Sequence, residues 1–163
     1  MALVHMRDML NHAYQNGYAV GAFDLVSLDF LQAIIDAAER CQAPVILSLA
    51  ESHFEYFDFE LIMPAVEAAA RRSTVPVAIH LDHGASLESA RRAIRLGCNG
   101  IMVDNSLLPL EQNIETTRAI VEMMEVPDRR RAMGARGRRC VEERFRRPEQ
   151  VRAYRDLLAE TAR

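Results

Sequence analysis

Residues 74–97, TVPVAIHLDHGASLESARRAIRLG, contain one complete strand–loop–helix unit. The run Pro76–Leu81 is apolar apart from His80, which is typical of a strand that is covered on both faces of a parallel sheet. After a short polar loop, apolar residues recur at helical spacing until Gly97, and a glycine just past the last turn favours the end of a helix. This stretch therefore predicts a βα unit.

Similar apolar runs at regular intervals predict three further strands. The four predicted strands are Tyr18–Phe23, Pro44–Leu49, Pro76–Leu81 and Gly100–Val103. Equivalent positions in them, Val20, Val45, Val77 and Ile101, are 25, 32 and 24 residues apart. This spacing is typical of consecutive βα units.

Helical periodicity accompanies these strands. A leading helix over Arg7–Asn16 ends at Gly17. Three later helices are indicated by apolar residues that share a face: Leu28, Leu31, Ile35 and Ala38 on one, Leu87, Ala90 and Ile94 on the next, and Leu110, Ile114, Thr117, Val121 and Met124 on the last.

The spacing fits either a doubly wound sheet or a closed barrel. No GxGxxG motif follows the first strand, where a dinucleotide-binding fold would carry one, because residues 18–27 are YAVGAFDLVS. A barrel of eight units takes about 250 residues, and about four units fill half of that. We therefore predict an α/β fold in which residues 1–126 form an incomplete TIM barrel after the leading helix.

Composition excludes several classes of mechanism. The chain has no lysine, since all 20 basic residues are arginine, so a lysine Schiff base is impossible. The three cysteines are widely spaced, which disfavours a disulfide framework and favours the cytoplasm. No apolar run approaches the roughly 20 residues of a membrane span, so we expect no membrane partner.

The most concentrated set of candidate functional residues lies at the end of the third strand. His80 and Asp82 are two positions apart and should project to the same side, with His83 in the loop beyond them. In a barrel this is the rim where active sites are built. Imidazole is a common metal ligand, and a neighbouring carboxylate can exchange protons with a bound substrate. The alternative is a structural role, with His80 as a core imidazole and Asp82 as a helix cap.

Four segments resemble class II fructose-bisphosphate and tagatose-bisphosphate aldolases. They are YAVGAF (18–23), APVIL (43–47), TVPVAIHLDHGASLESA (74–90) and IMVDNSLLPLEQNI (101–114), in the order and spacing of that family. The resemblance covers residues 3 to about 125, and HLDHG together with VDxSxxPxExNI is specific to the family. It implies a zinc-dependent enzyme that cleaves a ketose 1,6-bisphosphate, fructose or tagatose, to dihydroxyacetone phosphate and an aldehyde.

By the same resemblance, His83 matches the first zinc ligand and Asp82 the acid/base residue. Asp104 and Ser106 match a polar pair near the metal, and Asp24 stands where the family has a substrate-side asparagine. The family's zinc has three histidine ligands, but all five histidines of this chain precede residue 84. We expect an incomplete zinc site.

Other departures also point to a damaged site. Ala50 replaces a serine on the substrate rim, Ser52 replaces a glycine, and Leu107 replaces a histidine of the family pattern. We therefore expect this chain not to catalyse the cleavage alone. The alternatives are a non-catalytic relic that self-associates or binds a sugar phosphate, and a recombined gene product without selected function.

The charge balance changes near Val126. Residues 1–127 hold 8 arginines against 17 acidic residues, a net of −9, whereas residues 128–163 hold 12 against 6, a net of +6. We predict a separate arginine-rich helical tail over residues 127–163. Its segment MGARGRRCVEERF (133–145) resembles the C-terminal helices of two-domain retaining glycosyltransferases, and a generic pair of amphipathic helices is the alternative. Glutamates interleave with the arginines, so we expect no nucleic-acid binding.

The half-barrel prediction has a consequence for association. Four parallel strands leave two open edges, at Val20 and Met102, whereas a closed barrel has none. Unpaired backbone groups and uncovered apolar residues at these edges favour pairing with another chain. We therefore predict a homodimer or larger assembly, or else aggregation, at micromolar concentration. The resemblance implies a sugar bisphosphate as the ligand.

Overall fold

The computed structural model describes residues 2–125. The predicted tail, its helices and its boundary after residue 126 lie outside the described residues. The elements in chain order are α1 (Met6–Asn16), β1 (Gly21–Asp24), α2 (Leu28–Cys41), β2 (Val45–Ala50), a 3₁₀ turn (Glu51–His53), α3 (Phe59–Arg72), β3 (Val77–Gly84), α4 (Leu87–Leu96), β4 (Gly100–Val103) and α5 (Leu110–Glu125).

The strands form one parallel sheet in the order β1-β2-β3-β4. A helix follows each strand, so the predicted α/β architecture of four βα units after a leading helix is confirmed. Along the ladder, Ser48 pairs with Asp24 on one side and with His80 on the other, and His80 pairs in turn with Gly100. These four residues form one row across the sheet.

Two strand boundaries differ from the prediction. β1 begins at Gly21 rather than Tyr18, because Tyr18 N still donates to Ala13 O (3.1 Å) in the turn that ends α1. β3 continues past Leu81 to Gly84, with an irregularity in its pairing to β4 between these two residues. The predicted loop after the third strand is therefore the bulged end of the strand itself.

Side chains capping the helices explain where most of them begin. Ser27 Oγ accepts from Phe30 N (3.3 Å) at α2, and Ser86 Oγ accepts from Ser89 N (3.1 Å) at α4. At α4 the end is as predicted, since Gly97 adopts a left-handed φ of 107° that disfavours side chains.

Helix α3 is not among the helices predicted from the sequence, and Pro64 lies inside its apolar run FELIMPAV. The proline lies in the second turn, and the helix continues to Arg72. Asp58 caps its start by accepting from Glu60 N (2.9 Å). Buried residues at helical spacing hold it against the sheet: Phe59, Ile62, Met63, Val66 and Ala70.

The two faces of the sheet have different cores. On one face, the alternating residues Val77, Ile79 and Leu81 pack into the main core with α2 and α3. On the other, Ala78 packs with Ile46 and with Met9 of α1 in a smaller cluster. Because β-strand side chains alternate, His80 and Asp82 lie on the face of Ala78, away from the outer helices.

The prediction that strands are covered on both faces holds for β2, where all six residues are buried. It is wrong for β1, whose four residues are all exposed because β1 is an edge strand. Within residues 2–125, no helix is long and apolar enough to span a membrane.

Candidate active site

The site residues lie where β3 and β4 end. His83 occupies the irregular part of β3 and has a left-handed φ of 47°, which is uncommon for a residue with a side chain. Its backbone N–H lies 3.2 Å from Met102 Sδ of β4. This bend interrupts the normal alternation of side chains and leaves His83 exposed where β3 and β4 end.

His83 is paired with Asp104, which follows β4. Its Nδ1 lies 3.1 Å from Asp104 Oδ2. The pKa of Asp104 is lowered to about 2, first by the hydroxyl and the backbone N–H of Ser106 and then by His83. Ser106 N donates to Asp104 Oδ1 at 3.0 Å. The structure thus brings His83, Asp104 and Ser106 into one cluster.

This cluster defines how the imidazole is presented. An ionised carboxylate can only accept hydrogen bonds, so Nδ1 of His83 is the donor to Asp104. In a neutral imidazole the proton on Nδ1 leaves the lone pair on Nε2. A carboxylate behind a histidine in this way is the usual support for a metal-ligating ring.

The other predicted site residues are not in this cluster. Asp82 is half-buried and lies opposite Ala50 of β2, on the face of the sheet that carries Ala78. Its carboxylate makes no hydrogen bond or ion pair with any described residue. Asp24 is exposed at the end of β1, two strands away from β3. Burial lowers the pKa of His80, with Asp82 acting in the opposite direction, so burial favours the neutral imidazole.

The remaining histidines do not join the site. His5 Nδ1 accepts from Arg7 N (3.3 Å) at the start of α1, and His12 Nδ1 lies 2.8 Å from Tyr18 Oη. His12 is exposed, whereas His5 is half-buried. His53 is half-buried, and its Nδ1 has no partner among the described residues.

The zinc implied by the resemblance can be tested against these positions. Within residues 2–125, no group of three or more histidine, cysteine or acidic side chains could hold a metal ion. A catalytic zinc usually has three protein ligands. The described residues therefore provide one well-oriented imidazole but do not fit a zinc ion by themselves.

Sequence reasoning missed one residue that organises the site. Glu51, just after β2, accepts from Ala85 N through Oε2 (2.6 Å) and from Ser89 Oγ through Oε1 (2.6 Å). The carboxylate therefore ties the end of β2 to the segment that follows His83. Only an acidic residue directly after a strand could have indicated it, and that signal is weak.

The sequence of this chain is similar to a known protein family. The family model for fructose-bisphosphate aldolase class-II matches residues 4–128. The chain is 47% identical over 126 residues to a probable fructose-bisphosphate aldolase of Bacillus subtilis, covering 76% of this chain and 44% of that protein. A Staphylococcus aureus fructose-bisphosphate aldolase is 44% identical over 125 residues, with 75% and 44% covered.

Solved structures show the same fold. The YdjI aldolase of Escherichia coli K12 superposes with a TM-score of 0.71 at 34% identity, over 74% of this chain and 47% of that one. The chain therefore spans less than half the length of these relatives. Because the family match covers most of this chain, the chain belongs to the class-II fructose-bisphosphate aldolase family.

Proposed function

We propose that this chain carries the first part of a zinc-dependent ketose-bisphosphate aldolase site and is inactive alone. The reaction would be aldol cleavage of fructose or tagatose 1,6-bisphosphate to dihydroxyacetone phosphate and an aldehyde. The single observation that carries the proposal is the hydrogen bond between His83 and Asp104 at the barrel rim, in a chain of this family. It orients one metal-ligating nitrogen and no more.

The residues have distinct roles in this proposal. His83 would ligate the metal through Nε2, with Asp104 positioning the ring and Ser106 keeping Asp104 ionised. Asp82 would be the acid/base residue by the family resemblance, and its carboxylate has no hydrogen bond or ion pair with a described residue. Asp24 would contact substrate, although its negative charge disfavours a bisphosphate there.

Inactivity follows from what the described residues supply. A site with one imidazole lacks the charge stabilisation that contributes most to the rate of such reactions. We expect zinc to bind no more tightly than micromolar. Isothermal titration calorimetry of the 163-residue chain at neutral pH measures this, with His83→Ala expected to abolish the weak binding. His12→Ala is the matched control, because His12 bonds to Tyr18 outside the site.

A nanomolar, stoichiometric zinc site that His83→Ala removes would show that further ligands exist. The second test is turnover of both bisphosphates in a coupled assay. We expect no metal-dependent cleavage above background. Turnover that is lost both with a chelator and with Asp82→Asn would contradict the proposed inactivity.

The proposal also includes the setting of the chain. We place it in the cytoplasm, since its three cysteines are widely spaced in the sequence and the two described ones, Cys41 and Cys98, are free. We further propose that it acts as a homo-oligomer, without nucleic-acid or membrane partners.

A further inference from the structure

One side of α5 is apolar and uncovered in the described structure. At about 100° per residue, Leu110, Ile114, Thr117 and Val121 fall within about 60° of one another around the helix. Their apolar members are exposed, Leu110 by 68%, Ile114 by 40% and Val121 by 44%. We call these four residues the α5 face. Ile120 is buried to one side of it, and the half-buried Thr116, Ala119 and Met123 lie beyond Ile120.

A second uncovered apolar surface lies on α2, at the other end of the sheet. Phe30, Ile34, Ala37 and Cys41 share one side of that helix by the same periodicity, and we call them the α2 face. Phe30 is 53% exposed, and Ala37 and Cys41 are exposed as well, whereas Ile34 is half-buried and packs against the main core. The opposite side of α2, with Leu28, Gln32 and Glu39, borders a groove shared with α3.

The two faces are the complementary sides of one kind of contact. The α5 face lies about a quarter turn around the helix from the buried side of α5. The side of α2 that borders α3 is rotated from the buried side of α2 in the same direction. The α5 face is therefore the side that a helix turns toward the next helix in the chain. The α2 face lies about a quarter turn from the buried side of α2 in the opposite direction. A helix that precedes α2 around the sheet would pack on this side.

The sheet edges beside these helices are also apolar and open. Phe23 on β1 is 54% exposed and Met102 on β4 is 36% exposed. Within the described residues, β1 pairs only with β2 and β4 pairs only with β3. Each edge thus leaves backbone groups free to pair with another parallel strand.

We propose that a second copy of this chain covers both surfaces at once. The α5 face of one copy would pack on the α2 face of the other, and β4 would pair in parallel with β1 of that copy. A twofold axis along the strands repeats the contact on the other side. Because two four-stranded sheets joined in this way have eight strands, the ring closes and no edge remains.

The area involved is sufficient for a stable dimer. With about 150–200 Å² for a fully exposed large side chain, the six apolar residues named above expose roughly 500 Å² per copy. Two copies would bury roughly 1,000 Å² of apolar surface before backbone and polar atoms are counted, against about 1,200–2,000 Å² in total for a standard interface. The dimer would also place two His83–Asp104 pairs on the same rim.

The first test is sedimentation velocity of the 163-residue chain at micromolar concentration. We expect a species of twice 18.4 kDa for the unmodified chain and a monomer for Leu110→Asp. Leu61→Asp is the matched control and should remain dimeric, because Leu61 is also 68% exposed in the first turn of a helix but lies on α3. A monomeric unmodified chain, or a dimer that survives Leu110→Asp, would overturn the proposal.

A charge exchange gives an independent readout of the same contact. Ala37 and Val121 lie at similar depths in α2 and α5, nine and eleven residues after the first residue of each helix. Ala37→Asp or Val121→Lys alone should weaken the dimer at least tenfold, and the double variant should restore most of the affinity. Failure of restoration, with circular dichroism showing folded protein, would reject this pairing. The zinc titration tests the proposed function separately, so the two proposals can fail independently.

Discussion

Replacing Glu51 tests whether a single carboxylate holds the segment after His83 in place. Its two oxygens accept from Ala85 N and Ser89 Oγ, both at 2.6 Å. Hydrogen bonds to a charged group contribute about 1.5–3 kcal/mol each, and partial exposure reduces that. We therefore expect Glu51→Ala to lower the free energy of unfolding by about 2–3 kcal/mol.

Glu51→Gln separates charge from shape. The amide oxygen can still accept from Ala85 N, and the amide N–H can donate to Ser89 Oγ, whose own proton can then turn to Ser86 Oγ, 2.9 Å away. Only the charge is lost, so we expect a cost of about 1 kcal/mol. The order of stability should be unmodified chain, Glu51→Gln, then Glu51→Ala.

The assay is urea unfolding followed by circular dichroism at one protein concentration. Glu55→Ala is the control, because Glu55 lies in the same loop and makes no hydrogen bond or ion pair with a described residue; it should change stability by less than about 0.5 kcal/mol. The histidine resonances in NMR spectra should show His83 shifting in Glu51→Ala alone. Equal midpoints for Glu51→Ala and Glu55→Ala would refute the role assigned to Glu51.

Three further predictions concern pH and packing. Asp104 has a pKa of about 2, so NMR should find it ionised at pH 3. Its contribution to stability is present above about pH 4 and should disappear only as the pH falls through 2. Ser106→Ala should raise the pKa of Asp104, and an unchanged pKa would contradict the cause assigned to the shift. His80 has a lowered pKa in the folded protein, so the unfolded chain binds a proton at this residue at a higher pH. Stability should therefore fall as the pH drops below about 6.5. The stability of His80→Gln should fall less steeply with pH in the same urea titrations. Gly84→Ala should cost about 1–3 kcal/mol in urea unfolding, because its Cβ would lie 2.8 Å from Leu81 Cδ2 and 3.1 Å from the Met102 carbonyl oxygen; an unchanged midpoint would show that the backbone moves aside.

Much of the architecture could be predicted because it depends on short-range patterns. The apolar runs of β2 and β3 and the glycine at position 97 each act within a few residues. Where a local signal was ambiguous, the prediction was wrong. Tyr18 was predicted to begin a strand but completes the turn after α1. Helix α3 was not predicted; it contains Pro64 and is stabilised by its own buried face.

The candidate site shows which features follow from local sequence and which follow from tertiary structure. The sequence alone determined that His80, Asp82 and His83 fall at the end of a strand, because strand periodicity and the HLDHG segment are both local. Only the tertiary structure decided that His83 bonds to Asp104, 21 positions away, and that Glu51 binds Ala85, 34 positions away. Such contacts depend on which strands become neighbours and on the bulge that turns His83 outward. Since hydrogen bonds need their donor and acceptor within about 3 Å, no local pattern specifies them before the sheet has formed.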